Sequence, residues 1–354
     1  MGINIMSCEF EFKVPYVKQL LRYSALTSWL FTAACGLNVT SLVAQQTEPA
    51  HPAVVIDNPN ALPEASYSLK INDIVVPYSI FSVFVMPGES VEFEILFSQS
   101  KVGYQFNDTR KNSKSLFTNR WKWTASEQPG HYPLVIEAAD NSSEKVIINA
   151  FVKVPAEQVE GGSLNYFQIG HYPTQDEIKN KDLYIVPDGF IEVSEKNKNV
   201  KVSPNFTLKE FVSKQRSNYP KYLYLQNKLL LKLEVIRQEM ILKGVEIDKM
   251  VVMSGYRTPQ YNKAIGNVKF SRHVFGDAAD IFIDNDGDYR MDDINKDGRK
   301  DKKDAEYMAS IIESVSKREA YRGLIGGLGV YGPKSHRGGF VHVDTRGIKA
   351  RWSQ

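Results

Sequence analysis

The sequence predicts an α+β domain over residues 206–354, preceded by an all-β, immunoglobulin-like sandwich over residues 66–155. Three observations predict it. Short alternating apolar runs, broken by turn residues, fill the earlier stretch. Helical periodicity begins only after about residue 205. Strand-like runs then return beyond residue 249, separated by small and polar residues. With 354 residues, 42% of them hydrophobic and 24% charged, the chain exceeds one average domain and has material for real cores. Its 44 basic and 41 acidic residues leave a net charge of only +3, which argues against nucleic acid as the main partner, since phosphate binding needs a concentrated basic surface.

The first 44 residues read as a signal for export to the periplasm. Lys13, Lys18 and Arg22 precede an apolar run, Tyr23 to Ala34, that continues weakly to Ala44, where cleavage is expected. A retained anchor is the competing reading. Thr32-Ala33-Ala34-Cys35 also loosely matches a lipoprotein box, with Thr where an aliphatic residue is usual, so a lipid anchor through Cys35 is a second expectation. Cys8 and Cys35 are the only cysteines, and both fall in this leader. The mature chain then has no thiol, which excludes cysteine nucleophiles and thiolate metal sites. No later segment is long and apolar enough to span a bilayer.

Residues 45–65 form a Pro-, Ala- and Asn-rich linker. In the sandwich, strands are expected around Tyr67–Ile71, Ser82–Met86, Val91–Ile95, Leu134–Ile136 and Val146–Ile148, with turns at Pro87-Gly88 and Pro129-Gly130. Trp121 and Trp123 alternate on one strand face and read as core. Residues 156–205 are too long for an ordinary connection and are expected to pack across the junction. Thr207-Leu-Lys-Glu210 fits a capping box and a helix start. Leu225, Leu229, Leu233, Ile236 and Met240 recur at helical spacing, predicting a core helix over 221–243 that Gly244 closes. Lys249–Ser254 reads as a buried strand.

Three stretches carry the chemistry: Ser254-Gly255-Tyr256-Arg257, Ser271-Arg-His273-Val-Phe-Gly276-Asp277-Ala-Ala-Asp280, and Gly339-Phe-Val-His342-Val-Asp344. Between His273 and Asp280 lie Gly276 and two alanines, which permit a tight turn and leave room for an ion. Asp280 is expected to open a strand through Ile283, and His342 and Asp344 share one strand face. Imidazole and carboxylate are natural zinc ligands, and two His with one Asp leave a fourth position open, as hydrolysis requires. A single His is more often structural than a ligand, and His51, His131 and His171 are given that reading.

Taken together, Ser271-x-His273-x-x-Gly276-x-Ala278-x-Asp280 and His342-x-Asp344 resemble the zinc D-alanyl-D-alanine peptidases of the M15 type, in the branch of murein endopeptidases with a His-Val-Asp motif. Ser254-Gly255-Tyr256-Arg257-Thr258-Pro259 and Asn262 resemble the segment ahead of the family's metal motif, so the resemblance covers residues 205–354. It implies zinc held by His273, Asp280 and His342, and hydrolysis of peptide bonds involving D-amino acids in peptidoglycan, by a carboxypeptidase or an endopeptidase. Arg257 would bind a substrate carboxylate or carbonyl oxygen, for which a planar guanidinium is suited. Ser271 is assigned to the substrate with it. The general base is open. Some relatives carry Glu three residues before the last ligand, where this chain has Gly339; His336 and Asp344 are the candidates, and Asp344 has the alternative role of orienting a ligand His. The missing Glu also motivates a different class of function: a non-catalytic, metal-stabilised wall- or partner-binding protein.

A second metal signature lies within an insertion at 284–304. Asp293, Asn295, Asp297, Asp301 and Asp304 occupy positions 1, 3, 5, 9 and 12 of a calcium-loop pattern with Gly298 at position 6. This resembles the EF-hand-like loops of dockerin modules, with Asp304 in place of the usual Glu. Asp284, Asp286, Asp288 and Asp292 repeat the spacing, with Tyr289 where Gly belongs. A structural calcium in the 293–304 loop is expected, followed by a helix from about 304 to 317.

Overall fold

Alternating apolar side chains build two facing sheets at the N-terminal end of the computed structural model, which describes residues 67–98, 103–139, 145–174 and 176–354. The leader, the lipobox-like segment with Cys35 and the linker lie outside those residues. One sheet has the order β2 (Ile74–Val76), β1 (Tyr67–Ile71), β4 (Ser90–Ser98), β7 (Arg120–Thr124) and β6 (Ser113–Phe117). The other runs β3 (Ile80–Val85), β9 (Lys145–Val152), β8 (Gly130–Ala138) and β5 (Tyr104–Asp108), with β3 and β9 parallel. Aromatic rings join them: Phe93 of β4 lies 5.3 Å from Phe106 of β5, which in turn lies 5.8 Å from Trp121 of β7. Trp121 and Trp123 are buried, as their alternation predicts, while Lys122 between them is exposed.

Residues 153–226 are woven into the rest by short pairings. β10 (Val154–Pro155) pairs with β13 (Gly189–Val193), and β13 with β16 (Lys221–Leu223). β11 (Ser163–Leu164) and β12 (Phe167–Gln168) form a hairpin, as do β14 (Lys201–Ser203) and β15 (Phe206–Thr207). The Thr207–Glu210 capping box forms, but it caps one 3-10 turn, Leu208–Phe211, rather than a helix.

The expected core helix is α1 (Asn227–Leu242). It starts later than predicted because residues 221–223 pair with β13 instead. Its periodicity also understates its burial. Lys232, Glu234 and Glu239 are buried with the leucines, so the helix is enclosed on nearly every side. Each buried charge has a partner, as burial demands. Lys232 Nζ donates to the Asp344 carbonyl at 2.6 Å, Glu234 accepts from Ser203 Oγ at 2.6 Å and Asn205 Nδ2 at 2.6 Å, and Glu239 pairs with Arg318.

The sheet that carries the chemistry has the order β17 (Met250–Ser254), β18 (Ala278–Ile283), β20 (Phe340–Asp344), β19 (Gly327–Tyr331) and β21 (Ala350–Ser353). Its β19–β21 pair is parallel and the rest antiparallel. α2 (Pro259–Ala264) follows β17, and α3 (Lys302–Val315) follows the acidic insertion and packs against α1 and β19. The described residues are therefore mixed and sheet-rich with few helices, as an α+β domain requires. None of their helices is long and apolar enough to cross a membrane.

A candidate metal centre in an open cleft

Asp280 and His342 are direct partners across the β18–β20 ladder, and Ala278 stands opposite Asp344. This register corrects one expectation: β18 begins at Ala278, so Asp280 lies inside the strand rather than at its start. Interior placement fixes its carboxylate beside the cross-strand imidazole, since opposed residues on one sheet face sit side by side. His273 arrives from a 3-10 turn, Arg272–Phe275, which Gly276 ends with φ +68°. A Cβ on Gly276 would stand 2.5 Å from the Tyr224 carbonyl oxygen, so glycine is required by both conformation and space. The turn is braced from behind by Arg272, which is ion-paired to Asp277 and stacked over the Tyr184 ring at 4.8 Å.

The three side chains meet as a near-equilateral triangle. His273 Nε2 is 3.2 Å from Asp280 Oδ1 and 3.1 Å from His342 Nδ1, which is 2.9 Å from the same carboxylate oxygen. The outer ring nitrogens fix the tautomers. His273 Nδ1 donates to the Gly255 carbonyl at 2.7 Å, and His342 Nε2 donates to Asp344 Oδ2 at 3.2 Å. In neutral rings the two inner nitrogens then carry lone pairs, beside a carboxylate oxygen. Three converging lone pairs need a cation. Ligands about 2.0–2.1 Å from a tetrahedral ion are separated by roughly 3.3 Å, close to the edges seen here. The group fits a divalent metal such as zinc.

Burial and the two carboxylates act differently on the three groups. Burial lowers the His273 pKa and keeps the ring neutral. Burial alone would raise Asp280, but His273 and His342 outweigh it and hold the carboxyl well below the usual range. Burial opposes the charge on His342, yet the carboxylates of Asp280 and Asp344 prevail and raise it.

The remaining predicted residues are placed as follows. Arg257 is half-buried beside the triangle; Nη2 donates to Asp280 Oδ2 at 2.6 Å and Nε to Ser254 Oγ at 2.8 Å. It therefore grips the metal-facing carboxylate as well as lining the cleft. Ser271 also lines the cleft. Asp344 is fully buried behind His342. Oδ1 accepts from the Gly327 amide at 2.8 Å and from the Arg346 amide at 3.1 Å, while Oδ2 accepts from Arg346 Nη2 at 2.5 Å. Desolvation would raise its pKa, but His342 and Arg346 drive it far down. A carboxylate so occupied orients His342 and is poorly suited to take a proton, which favours the orienting role over that of base. His336 sits exposed at the tip of the Lys334–Arg337 turn and is not among the cleft residues.

Among the cleft residues that the sequence reading did not assign are Tyr331, Phe340, Arg346 and Trp352. Tyr331 and Phe340 stack at 4.4 Å, and Trp352 Nε1 donates to the Tyr331 hydroxyl at 2.7 Å. The Trp352 ring lies so close over Gly329 that a Cβ there would be 2.3 Å from Nε1, and it reaches 5.1 Å from the His342 ring. Only the position of Arg346, two residues beyond Asp344, hinted at a role. The cavity they share with the triangle is about 520 Å³.

The acidic insertion divides its work differently from the expected calcium set. Asp304 Oδ1 accepts from the amides of Ile294 at 3.0 Å and Asn295 at 3.3 Å, and Oδ2 from Asp301 at 2.8 Å, closing a capping box on α3. Asp293 accepts from the Asp297 and Gly298 amides, Asn295 from Asp297, Asp297 from Arg299, and Asp301 from Lys303. Among the described residues, the acidic side chains that gather closely here are Asp284, Asp286 and Asp292. Lys300 Nζ lies between Asp286, Asp288 and Asp292 at 2.6, 3.1 and 3.0 Å.

A family model described as Peptidase M15 matches residues 204–311. The match supports an M15-family peptidase, with a peptidoglycan-type substrate, and such peptidases are zinc-dependent. It contains Arg257, Ser271, His273 and Asp280 and stops short of His342, which the β18–β20 pairing sets opposite Asp280. No curated protein matches the chain. A solved structure described as surface layer protein SbsC, domains 1–6, aligns with 11% identity and a TM-score of 0.17, over 36% of this chain and 18% of that one. The chain thus spans less than a fifth of that structure.

Proposed function

We propose that the chain is an exported zinc peptidase that hydrolyses peptide bonds involving D-amino acids in peptidoglycan, as a carboxypeptidase or an endopeptidase. The observation that carries this reading is the triangle of His273, Asp280 and His342, open to a cleft on one side. An ion held there supplies Lewis acidity, polarising a carbonyl and acidifying water. The protein's own share is to hold three bare donor atoms in place, to fix both tautomers through Gly255 and Asp344, and to set Arg257 at the rim. Arg257 anchors a substrate carboxylate or carbonyl oxygen while still paired to Asp280. The Tyr331–Phe340–Trp352 wall shields one flank from water and offers apolar surface to the peptide.

The leader, though outside the described residues, supports export to the periplasm, and the sandwich is read as an immunoglobulin-like module that positions the enzyme. A calcium ion stiffening the 284–304 insertion belongs to the same reading. The alternating acidic side chains of the 293–304 loop support that, while Lys300 pairs with Asp286, Asp288 and Asp292 just before it. A rise in melting temperature on adding calcium, reversed by a calcium-selective chelator, tests it; an unchanged melting curve removes calcium from the reading.

The central test is mass spectrometry of purified peptidoglycan digested with wild-type protein and with His273→Ala, before and after zinc removal. New cleaved muropeptides only with zinc-loaded wild type are expected. Stoichiometric zinc without any cleavage would instead favour the non-catalytic binding protein.

A further inference from the structure

A second cavity, of about 430 Å³, lies beside the metal cleft and is lined by His171, Pro173, Asn262, Lys263, Asn267 and Lys269 among others. The two spaces share Asn267. The segment 267–271 forms the ridge between them: Lys269 lines the second cavity, while Val268, Phe270 and Ser271 line the metal cleft. One wall, His171 and Pro173, comes from the connecting segment, upstream of the matched residues. That wall is held firmly. The Gln260 amide donates to the Ile169 carbonyl at 3.1 Å, and the Tyr172 hydroxyl donates to the Val274 carbonyl at 3.1 Å, one residue from His273.

The lining has one sign of charge. Lys263 and Lys269 contribute cations, and no carboxylate lines the cavity. Lys269 already pairs with Glu177 at 2.5 Å, whereas Lys263 has no ion-pair partner among the described residues. Asn262, in the wall of the cavity, carries a buried unmet acceptor. Asn262 is only 2% exposed, its Nδ2 donates to the Val268 carbonyl at 2.9 Å, and its Oδ1 has no partner among the described residues. A buried acceptor left unpaired is costly, and native structures seldom keep one without a use.

We propose that this cavity is a second substrate subsite, which takes a free carboxylate carried on the peptide at a distance from the scissile bond. Lys263 and Lys269 receive the carboxylate. A chain crossing the 267–271 ridge then places its reacting carbonyl in the metal cleft and its anionic branch in the basic cavity. The inference deepens the peptidase reading and rests on it for the nature of the chain that crosses the ridge.

Calorimetry on the full-length, zinc-loaded protein tests it with two peptides, acetyl-alanyl-isoglutamyl-alaninamide and its isoglutaminyl counterpart, which differ only in one carboxylate. Wild type is expected to bind the carboxylate form about threefold more tightly, the size typical of part-exposed ion pairs. The Lys263→Gln/Lys269→Gln variant is expected to bind both alike. Equal binding by wild type, or a preference that survives loss of both lysines, overturns the subsite. Peptidoglycan cleavage is read separately. A carboxylate preference in a protein that cleaves nothing sinks the peptidase reading and keeps the subsite, while cleavage without preference does the reverse.

Discussion

His342 Nε2 lies 3.2 Å from Oδ2 of Asp344, a carboxylate that is itself wholly buried and held by Gly327 and Arg346. The contact fixes which nitrogen of His342 faces the metal site, because a ring that donates through Nε2 must present Nδ1 bare. Asp344→Asn should therefore lower zinc affinity by about 10–100-fold while the fold persists. Competition with a chromogenic chelator measures it. An unaltered affinity would remove Asp344 from the site.

Arg257 makes a different contribution, gripping the second oxygen of Asp280 at 2.6 Å from the rim of the cleft. A lysine can keep the charge but cannot hold Ser254 and Asp280 together in one planar fork. Arg257→Lys should lower kcat/KM by about 100-fold, a loss typical of one missing charge-stabilising group. Zinc content should stay near that of wild type. Full activity in the variant would refute the role.

Gly276 ends the turn that delivers His273. Its left-handed backbone costs a substituted residue about 1–2 kcal/mol, before the clash with Tyr224 is counted. Gly276→Ala should destabilise the protein by at least about 2 kcal/mol in urea unfolding and weaken zinc binding with it. A change below about 0.5 kcal/mol would show that the turn is less constrained than its geometry implies.

Asp304 stands in the first turn of α3, where its carboxylate accepts from the Asp301 amide to complete the capping box and from the Ile294 and Asn295 amides of the preceding loop. Asp304→Ala should cost about 1–2 kcal/mol in calcium-free buffer, as the loss of a helix cap does. If the penalty appears only when calcium is present, the residue is an ion ligand first and a cap second.

Lys232 supplies a pH signature. Burial brings its pKa down to about 8 from the ordinary 10.5. Between those values the unfolded chain holds the proton more than the folded one, so this group makes stability rise with pH across that window. Removing it in Lys232→Met should abolish that increment. The stability of wild type relative to the variant should then grow from pH 8 toward pH 10.5 in paired thermal melts. A difference that stays flat over that range would mean Lys232 titrates normally.

The residues of the metal triangle were legible in the sequence through their resemblance to the M15-type motifs, and the chemistry is compatible with it, since few side chains offer nitrogen or carboxylate donors. Six strands of the two N-terminal sheets and the buried tryptophans were visible as short apolar runs, a property of each strand alone, whereas β2, β5 and β6 were not foreseen. The helix over 227–242 was visible by its leucines, but not its enclosure, since Lys232, Glu234 and Glu239 look like solvent-facing residues until partners from elsewhere in the chain meet them. The start of β18 and the strand at 221–223 were misjudged because pairing partners, rather than local propensity, set where a strand begins.

Local pattern thus determined which elements form and which side chains could bind a metal. Tertiary structure alone decided that Asp280 stands opposite His342, that Asp344 turns inward to His342, that Trp352 closes over Gly329, and that residues 171 and 173 wall a basic cavity beside the cleft. The physical reason is that these are contacts between segments far apart in the chain. Their register depends on the packing of the whole sheet, and no short window of sequence encodes it.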